Sequence, residues 1–365
     1  MKRRGFLEAS AAAAVGVWLG PAERLPDTVA FLGEGSFPLD KTIGAGLGRR
    51  RALDLATLSR EALLVPQERF FIRTGCPDRL PPIATWTVRV HGLVEAPVDV
   101  PLEKLRREAF AQGAHLLECA GNSRAAHFGL MSAATWSGVT VERLLGGVRL
   151  RPAATRVLVS GFDEHAVLDP GSVSGASWNF GLDELHATGA FLATEMNDEP
   201  LSPDHGHPLR LVVPGWYACT AIKWVNEIVL VDDEAPATDH MREYAGRTHQ
   251  DSDVPKLARD FRPAVIDPAA VPVRVDTLGR TQYRIVGLAW GGVSSLSIRL
   301  NRELSWTPVA EIDASPSRPW SLWSHTIPEL APGRYRIELA ARGSASRTRR
   351  LDAGFYAREI LIPGD

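Results

Sequence analysis

Sulfur-bearing residues are scarce in this chain of 365 residues, which has three cysteines and four methionines. Cys76, Cys119 and Cys219 are too few for a disulfide framework and lack the paired spacing of a zinc site. A Cys76–Cys219 bridge is conceivable in an oxidising compartment and would leave Cys119 as the odd thiol. Charge of one sign is also lacking: 41 basic residues face 43 acidic ones, a formal net charge of -2. Nothing in that balance suggests a nucleic-acid or acidic partner. The glycine-rich pieces Gly33 to Ser36 and Gly44 to Gly48 have no Lys-Ser or Lys-Thr after them, so neither is a phosphate loop. The Ala9 to Leu19 run is too short to span a bilayer. No internal repeat or low-complexity tract is present.

What is present is a globular composition, 45% hydrophobic and 23% charged, long enough for one large or two ordinary domains. At the start, Lys2-Arg3-Arg4-Gly5-Phe6-Leu7 leads into an alanine-rich run and then Gly20-Pro21-Ala22. This resembles a twin-arginine (Tat) export signal, which carries folded cofactor proteins to the periplasm. The expected organisation is a signal peptide over 1–22 and an extended, wrapping segment over 23–66, with a short helix from Asp54 to Leu64. A catalytic domain follows over 67–235, then a polar linker over 236–262 and a β-domain over 263–365. Within the catalytic domain, Phe70–Arg73, Thr85–Gly92, Ala114–Glu118, Thr155–Ser160, Phe191–Met196, Leu209–Pro214 and Ile222–Val231 have strand-like patterns. Pro101–Phe110 and Val139–Leu145 are predicted helices, the first with proline at its start. Short strands with few helices argue an α+β domain. About seven short strands beyond Ala264 are the pattern of an immunoglobulin-like sandwich.

The chemistry centres on Leu116-Leu117-Glu118-Cys119-Ala120-Gly121-Asn122-Ser123-Arg124. An apolar run delivers a cysteine into a small-residue turn, with an arginine five residues on. A thiolate there is a nucleophile or a soft metal ligand. As a nucleophile it would need a base, with His115, His127 and His205 as candidates.

The Cys119 block, followed by Ala134-Thr135-Trp136-Ser137-Gly138-Val139, resembles the molybdenum-cysteine region of the sulfite oxidase family. Glu195-Met196-Asn197, Pro200-Leu201, the run Asp204-His205-Gly206-His207-Pro208-Leu209-Arg210-Leu211-Val212-Val213-Pro214-Gly215 and Lys223-Trp224 resemble its pterin-binding core. Gly287-Leu288-Ala289-Trp290-Gly291-Gly292 resembles the start of its C-terminal dimerisation domain. The likeness runs from about residue 68 to the C-terminus, with no haem-binding domain of the animal type. It implies an α+β molybdopterin-binding domain followed by an all-β immunoglobulin-like sandwich, and a molybdenum–molybdopterin cofactor without an attached nucleotide. Cys119 is the implied metal ligand. Phe71, Ile72, Arg73, Thr74, Gly75, Asp163, His205, Arg210, Ala221, Ile222 and Lys223 are the implied cofactor contacts. Arg73, Arg124 and, by counting back from Tyr356 and Arg358, Arg349 are the implied anion-binding arginines, with Arg350 equally open. Tyr244 matches the active-site tyrosine, a phenol able to donate a hydrogen bond at the reacting centre.

Three departures bear on substrate. The segment after Arg124 is short and lacks a pocket tryptophan, whose space Phe128 could fill. Thr74-Gly75-Cys76 replaces an Asn-His pair, and Thr220 replaces a basic residue. The resemblance implies oxidation of sulfite to sulfate by oxo transfer, with electrons passed to an external acceptor such as a c-type cytochrome, by an exported homodimer with no membrane span after signal cleavage. The alternatives are an oxo-group reductase acting on sulfoxides and a non-catalytic assembly subunit.

Overall fold

The structure is a computed structural model that describes residues 27–162, 176–250, 253–301, 303, 305–313, 318–342 and 347–364. The export signal expected at 1–22 and the cofactor contact expected at Asp163 lie outside the described residues.

Two five-stranded sheets form the first domain. One has the order Val98–Pro101, Thr87–Gly92, Val225–Val231, Arg156–Gly161, Ser177–Gly181, with the Thr87–Gly92 and Val225–Val231 strands parallel. The other runs Arg210–Val212, Phe191–Met196, Met131–Thr140, Phe110–Glu118, with Glu199–Pro200 paired beside Phe191–Met196. Alternation in Thr87–Gly92 buries Val88 and Val90 on one face, as a half-buried strand requires. Met131–Thr140 lies between two strands of its sheet, and all of its residues except Thr135, Ser137 and Thr140 are buried. Two further antiparallel sheets make the second domain. Ala269–Thr277, Tyr283–Trp290, Trp320–Ile327 and Glu311–Ile312 form one of them. Arg358–Ile362, Gly333–Arg342, Ser295–Leu300 and Thr307–Pro308 form the other, and Phe31–Leu32 completes its edge.

The mixed helix-and-strand domain and the β-rich second domain are those expected from the sequence. Several local expectations are corrected. The helix expected from Asp54 to Leu64 is a single 3-10 turn, Leu55–Thr57. The backbone on either side is committed elsewhere: the Leu53 N–H donates to the Gly129 carbonyl and the Val65 N–H to the Ala133 carbonyl. Such long-range bonds displace the helical ladder. The Phe70–Arg73 run makes only one bridge, between Arg51 and Ile72. Val139 belongs to the Met131–Thr140 strand, because Thr140 caps the following helix Val141–Leu145 by accepting the Arg143 N–H at 3.2 Å.

The segment expected as a polar linker carries a buried helix, Asp239–Tyr244, with Asp239, His240, Met241 and Tyr244 all inside. Thr238 fixes its start twice over. Its Oγ1 accepts the Met241 N–H at 3.1 Å and donates to the Ser177 carbonyl at 2.8 Å. All three cysteines are free thiols, so the conceivable Cys76–Cys219 bridge is not formed.

Candidate active site

The strand Phe110–Glu118 ends at the thiol. The Cys119 N–H still donates to the Leu130 carbonyl at 2.9 Å, and then the chain turns: the Asn122 N–H donates to the Cys119 carbonyl at 2.8 Å. Asn122, buried, locks the turn by accepting the Leu130 N–H at 3.1 Å on its side-chain oxygen. The Gly121 N–H donates to the Cys119 Sγ at 3.4 Å. Burial pushes the Cys119 thiol above its ordinary pKa, while the Gly121 N–H, Arg73 and Arg247 pull the other way. A metal that binds the sulfur displaces its proton in any case.

A cleft of about 610 Å³ opens at this thiol. Its lining brings together Phe71, Ile72, Arg73, Thr74, Cys119, His205, Arg210, Ala221, Ile222, Lys223 and Tyr244, all singled out from the sequence. The far end is cationic. Lys223 Nζ donates to the Asp204 carbonyl at 2.9 Å and to the Thr74 carbonyl, and lies over the Trp224 ring. Arg210 is buried, donates to the His205 and Ala221 carbonyls and stacks over Trp136 at 5.5 Å. His205 contacts the Gln67 carbonyl through Nε2 at 3.0 Å. A carbonyl only accepts, so Nε2 carries the hydrogen and Nδ1 is left as an acceptor. Burial draws the His205 pKa down to about 3, so the ring is neutral at working pH.

Gly206 makes this turn possible. Its φ is +105°, and a Cβ there would stand 3.0 Å from the Arg210 Cβ and 3.1 Å from the Lys223 Cβ. Gly75 does not line the cleft; a Cβ on it would lie 2.3 Å from the Gly46 carbonyl oxygen and 2.4 Å from the Arg49 Cβ. Its part is to let the N-terminal segment lie against the cleft wall, where Arg49 Nη1 reaches Asp204 Oδ1 at 2.9 Å.

Two of the three expected anion-binding arginines stand elsewhere. Arg73 lines the cleft, and its side chain has no hydrogen bond or ion pair among the described residues. Arg124 is absent from the lining and donates to the Ala357 carbonyl at 2.5 Å, tying the cysteine turn to the second domain. Arg349 is also absent from the lining and sits 4.0 Å from the Asp267 carboxylate. Its neighbour Arg350 comes nearer. Arg350 Nη2 donates to the Ala120 carbonyl at 3.0 Å and the Arg247 carbonyl at 2.8 Å, and its guanidinium covers the Tyr217 ring at 4.6 Å. Beneath it Glu118 is fully buried, accepts from Tyr356 Oη at 3.1 Å, and has its pKa raised by burial to about 7. Phe128 fills no pocket space: it is buried against Phe355 and Tyr356. Of the alternative bases, His115 contacts the Gln112 carbonyl and His127 lies 3.6 Å from Glu34, and neither lines the cleft.

The sequence reading missed Cys219, His240 and Asp204 in the lining, and Arg50 and Arg247 beside it. The Arg49-Arg50-Arg51 run is visible in the sequence, but only the fold shows that it returns to Cys119 and Tyr244. Arg50 is half-buried and donates to the Leu47 and Arg49 carbonyls. Its pKa is lowered by burial and then by repulsion from Arg73, with Tyr244 and Cys119 opposing.

The donor set suits a molybdenum–pterin group. Among the described residues no group of three or more His, Cys, Asp and Glu could hold a metal ion by itself. The cleft offers two thiols, Cys119 and Cys219, too few to hold a metal alone, and a metal at Cys119 takes its remaining donors from a second ligand. Lys223 and Arg210 supply the cations an attached phosphate requires.

Comparison with known proteins agrees. The family described as oxidoreductase molybdopterin binding domain matches residues 75–239. The sulfite oxidase of Gallus gallus is 28% identical over 310 residues, covering 75% of this chain and 65% of that protein. The mitochondrial sulfite oxidase of Homo sapiens is 28% identical over 304 residues, covering 74% and 54%. The NADPH nitrate reductase of Emericella nidulans is 27% identical over 288 residues, covering 69% and 32%. The chain thus spans about a third to two thirds of the length of these relatives. Among solved structures, the sulfane dehydrogenase SoxCD from Paracoccus pantotrophus shares the fold, with a TM-score of 0.63 at 20% identity over 92% of this chain and 85% of that one.

Proposed function

We propose that the protein oxidises sulfite to sulfate and passes the electrons to an external acceptor, on the premise that residues 75–239 match the oxidoreductase molybdopterin binding domain family and the chain resembles sulfite oxidases. The observation that carries this reading is the meeting, in one cleft, of the Cys119 thiol, the unpaired Arg73 and Tyr244. The cofactor of this domain is molybdenum bound to molybdopterin. When bound, it supplies oxygen-atom transfer and takes up two electrons.

The chain's own residues do the rest. Cys119 holds the metal, and Lys223, Arg210 and the neutral His205 hold the pterin and its phosphate. Phe70, Phe71, Ile72 and Ile222 form apolar walls that keep water off the group. Arg73 draws a small oxyanion toward the thiol end and orients it. Burial pushes the Tyr244 phenol well above its ordinary pKa. It therefore keeps its proton at working pH and acts as a hydrogen-bond donor to an oxygen at the reacting centre. A c-type cytochrome as acceptor, a homodimer and export to the periplasm by the twin-arginine route complete the reading. The Lys2-Arg3-Arg4-Gly5-Phe6-Leu7 segment supports the last of these. No helix among the described residues is long and apolar enough to cross a membrane.

Protein produced in a molybdenum-replete host is assayed for sulfite consumption and sulfate formation with an artificial acceptor. Sulfate production by the wild type, lost in Cys119→Ser with the fold retained, is the expected result. A metal-loaded preparation that leaves sulfite untouched, or that instead reduces a sulfoxide, overturns the assignment.

A further inference from the structure

An anion pocket in this cleft has lost two of its expected cations, since Arg124 is tied to the Ala357 carbonyl and Arg349 faces Asp267. We propose that Arg247, on the turn that follows Tyr244, is the second guanidinium that binds the oxyanion substrate, opposite Arg73. The proposal rests on the sulfite-type reading above and adds to it the residue that completes the anion site.

Position is the first argument. A point beside Gly121, where a Cβ would stand, is 3.3 Å from Arg247 Nη1 and 3.8 Å from Cys119 Sγ. The guanidinium and the metal-binding sulfur therefore flank one small volume. The same guanidinium lies 5.6 Å from the centre of the Tyr244 ring. Arg247 thus neighbours both the thiol and the phenol, and Arg73 shares the cleft with both.

Availability is the second. The Arg247 side chain makes no hydrogen bond or ion pair among the described residues, and the same holds for Arg73. The other cations near the cleft are engaged: Arg50 by the Leu47 and Arg49 carbonyls, Arg49 by Asp204, Lys223 by the Thr74 and Asp204 carbonyls, and Arg350 by the Ala120 and Arg247 carbonyls. Two unpaired guanidiniums at one thiol repel each other unless an anion joins them.

Preorganisation is the third. An exposed arginine is ordinarily a solvated group, but this one has an anchored backbone. Its carbonyl accepts from Arg350 Nη2 at 2.8 Å, and the fully buried Thr248 donates through Oγ1 to the Tyr244 carbonyl at 3.1 Å. Arg350 donates to Ala120 from the same nitrogen. The loop that carries the thiol and the turn that carries Arg247 are therefore held by one side chain. The second domain reaches the pocket through this clamp, one step behind the substrate.

The test uses holoenzyme of the wild type, Arg247→Gln, Arg247→Lys and Arg349→Gln. Molybdenum content is matched, and turnover is measured with sulfite and an artificial acceptor. Arg247→Gln is expected to raise the sulfite KM about tenfold or more with a much smaller change in kcat, since a hydrogen bond to a charged group is worth about that factor. Arg247→Lys should recover part of the loss, and Arg349→Gln should leave KM unchanged. Sulfate binding, read by calorimetry without turnover, should weaken in Arg247→Gln by a similar factor. An unchanged KM and sulfate affinity in Arg247→Gln overturns the inference, as does a KM rise in Arg349→Gln alone. A wild type that is metal-loaded yet inert to sulfite overturns the functional reading instead, and sulfate calorimetry then still decides whether Arg247 binds an oxyanion.

Discussion

Replacing Arg350 by methionine tests the clamp that holds the cysteine turn. The thioether side chain keeps much of the apolar cover over Tyr217, so the loss is chiefly one of charge and hydrogen bonding. Arg350 Nη1 lies 3.9 Å from Glu118 Oε1, with side-chain exposures of 12% and 0% respectively. Without its cation the buried Glu118 carboxyl, whose pKa is about 7 with Arg350 in place, takes up a proton even at pH 8, which caps the electrostatic loss at about 1.4 kcal/mol. The Ala120 and Arg247 carbonyls would each lose a donor, worth about 1 kcal/mol apiece. Together these come to about 3 kcal/mol, a large share of the stability of many domains. The distinguishing experiment is a double-mutant cycle with Glu118→Gln, read by urea unfolding at pH 8. The neutral amide introduced by Glu118→Gln still accepts from Tyr356 and needs no cation, so the Arg350→Met change should cost about 1–1.5 kcal/mol less in that background. Additive losses, with coupling below about 0.5 kcal/mol, would show that the charge pair is not what the clamp provides.

Gly206→Ala should cost about 1–3 kcal/mol from its φ alone and should displace Arg210 and Lys223, so purified protein is expected to carry less pterin per chain; full occupancy would refute the close-contact argument. His205 gives a pH signature in cofactor-free protein. Its folded pKa, about 3, lies below its ordinary value of 6.5, so the unfolded chain takes up a proton first as pH falls. Its contribution to stability is present in full above about pH 6.5 and falls by about 2 kcal/mol by pH 5. In His205→Asn that share of the pH dependence should vanish from the unfolding midpoint, and an unchanged slope would contradict a neutral buried ring.

Which features are legible in the sequence follows from how local their causes are. The bounds of Phe191–Met196 can be read from the chain because its apolar pattern and flanking turns lie within a few residues. The motif residues Cys119, His205, Arg210, Lys223 and Tyr244 also meet in one cleft, although they arrive from separate strands and turns. What escapes is anything decided by a distant partner. Asp54 to Leu64 has helix-compatible residues, yet its flanking backbone is bonded to the Met131–Thr140 region. Asp239–Tyr244 is polar enough to pass for a linker, but Thr238 pins it to the Ser177 strand. Arg349 and Arg350 are adjacent, and only the short helix Arg349–Asp352 decides which of them turns toward the cysteine loop. Arg247 carries no signal of its own, because its meaning depends on Gly121 being close by.

The strand Phe31–Leu32 completes a sheet edge beside Arg358–Ile362, with Phe31 opposite Ile360 far along the chain. Arg358 is buried there, pairs with Glu34 at 3.0 Å and lies 3.7 Å from the Phe31 ring centre. During synthesis this early segment leaves the ribosome long before its partner exists. It stays unpaired until Arg358–Ile362 has been made. The same segment continues to Arg49 and Arg50 at the cleft, so the cleft's outer wall and the second domain's last edge are coupled in assembly. Closure of this edge is therefore late and slow, as contacts of such large sequence separation are.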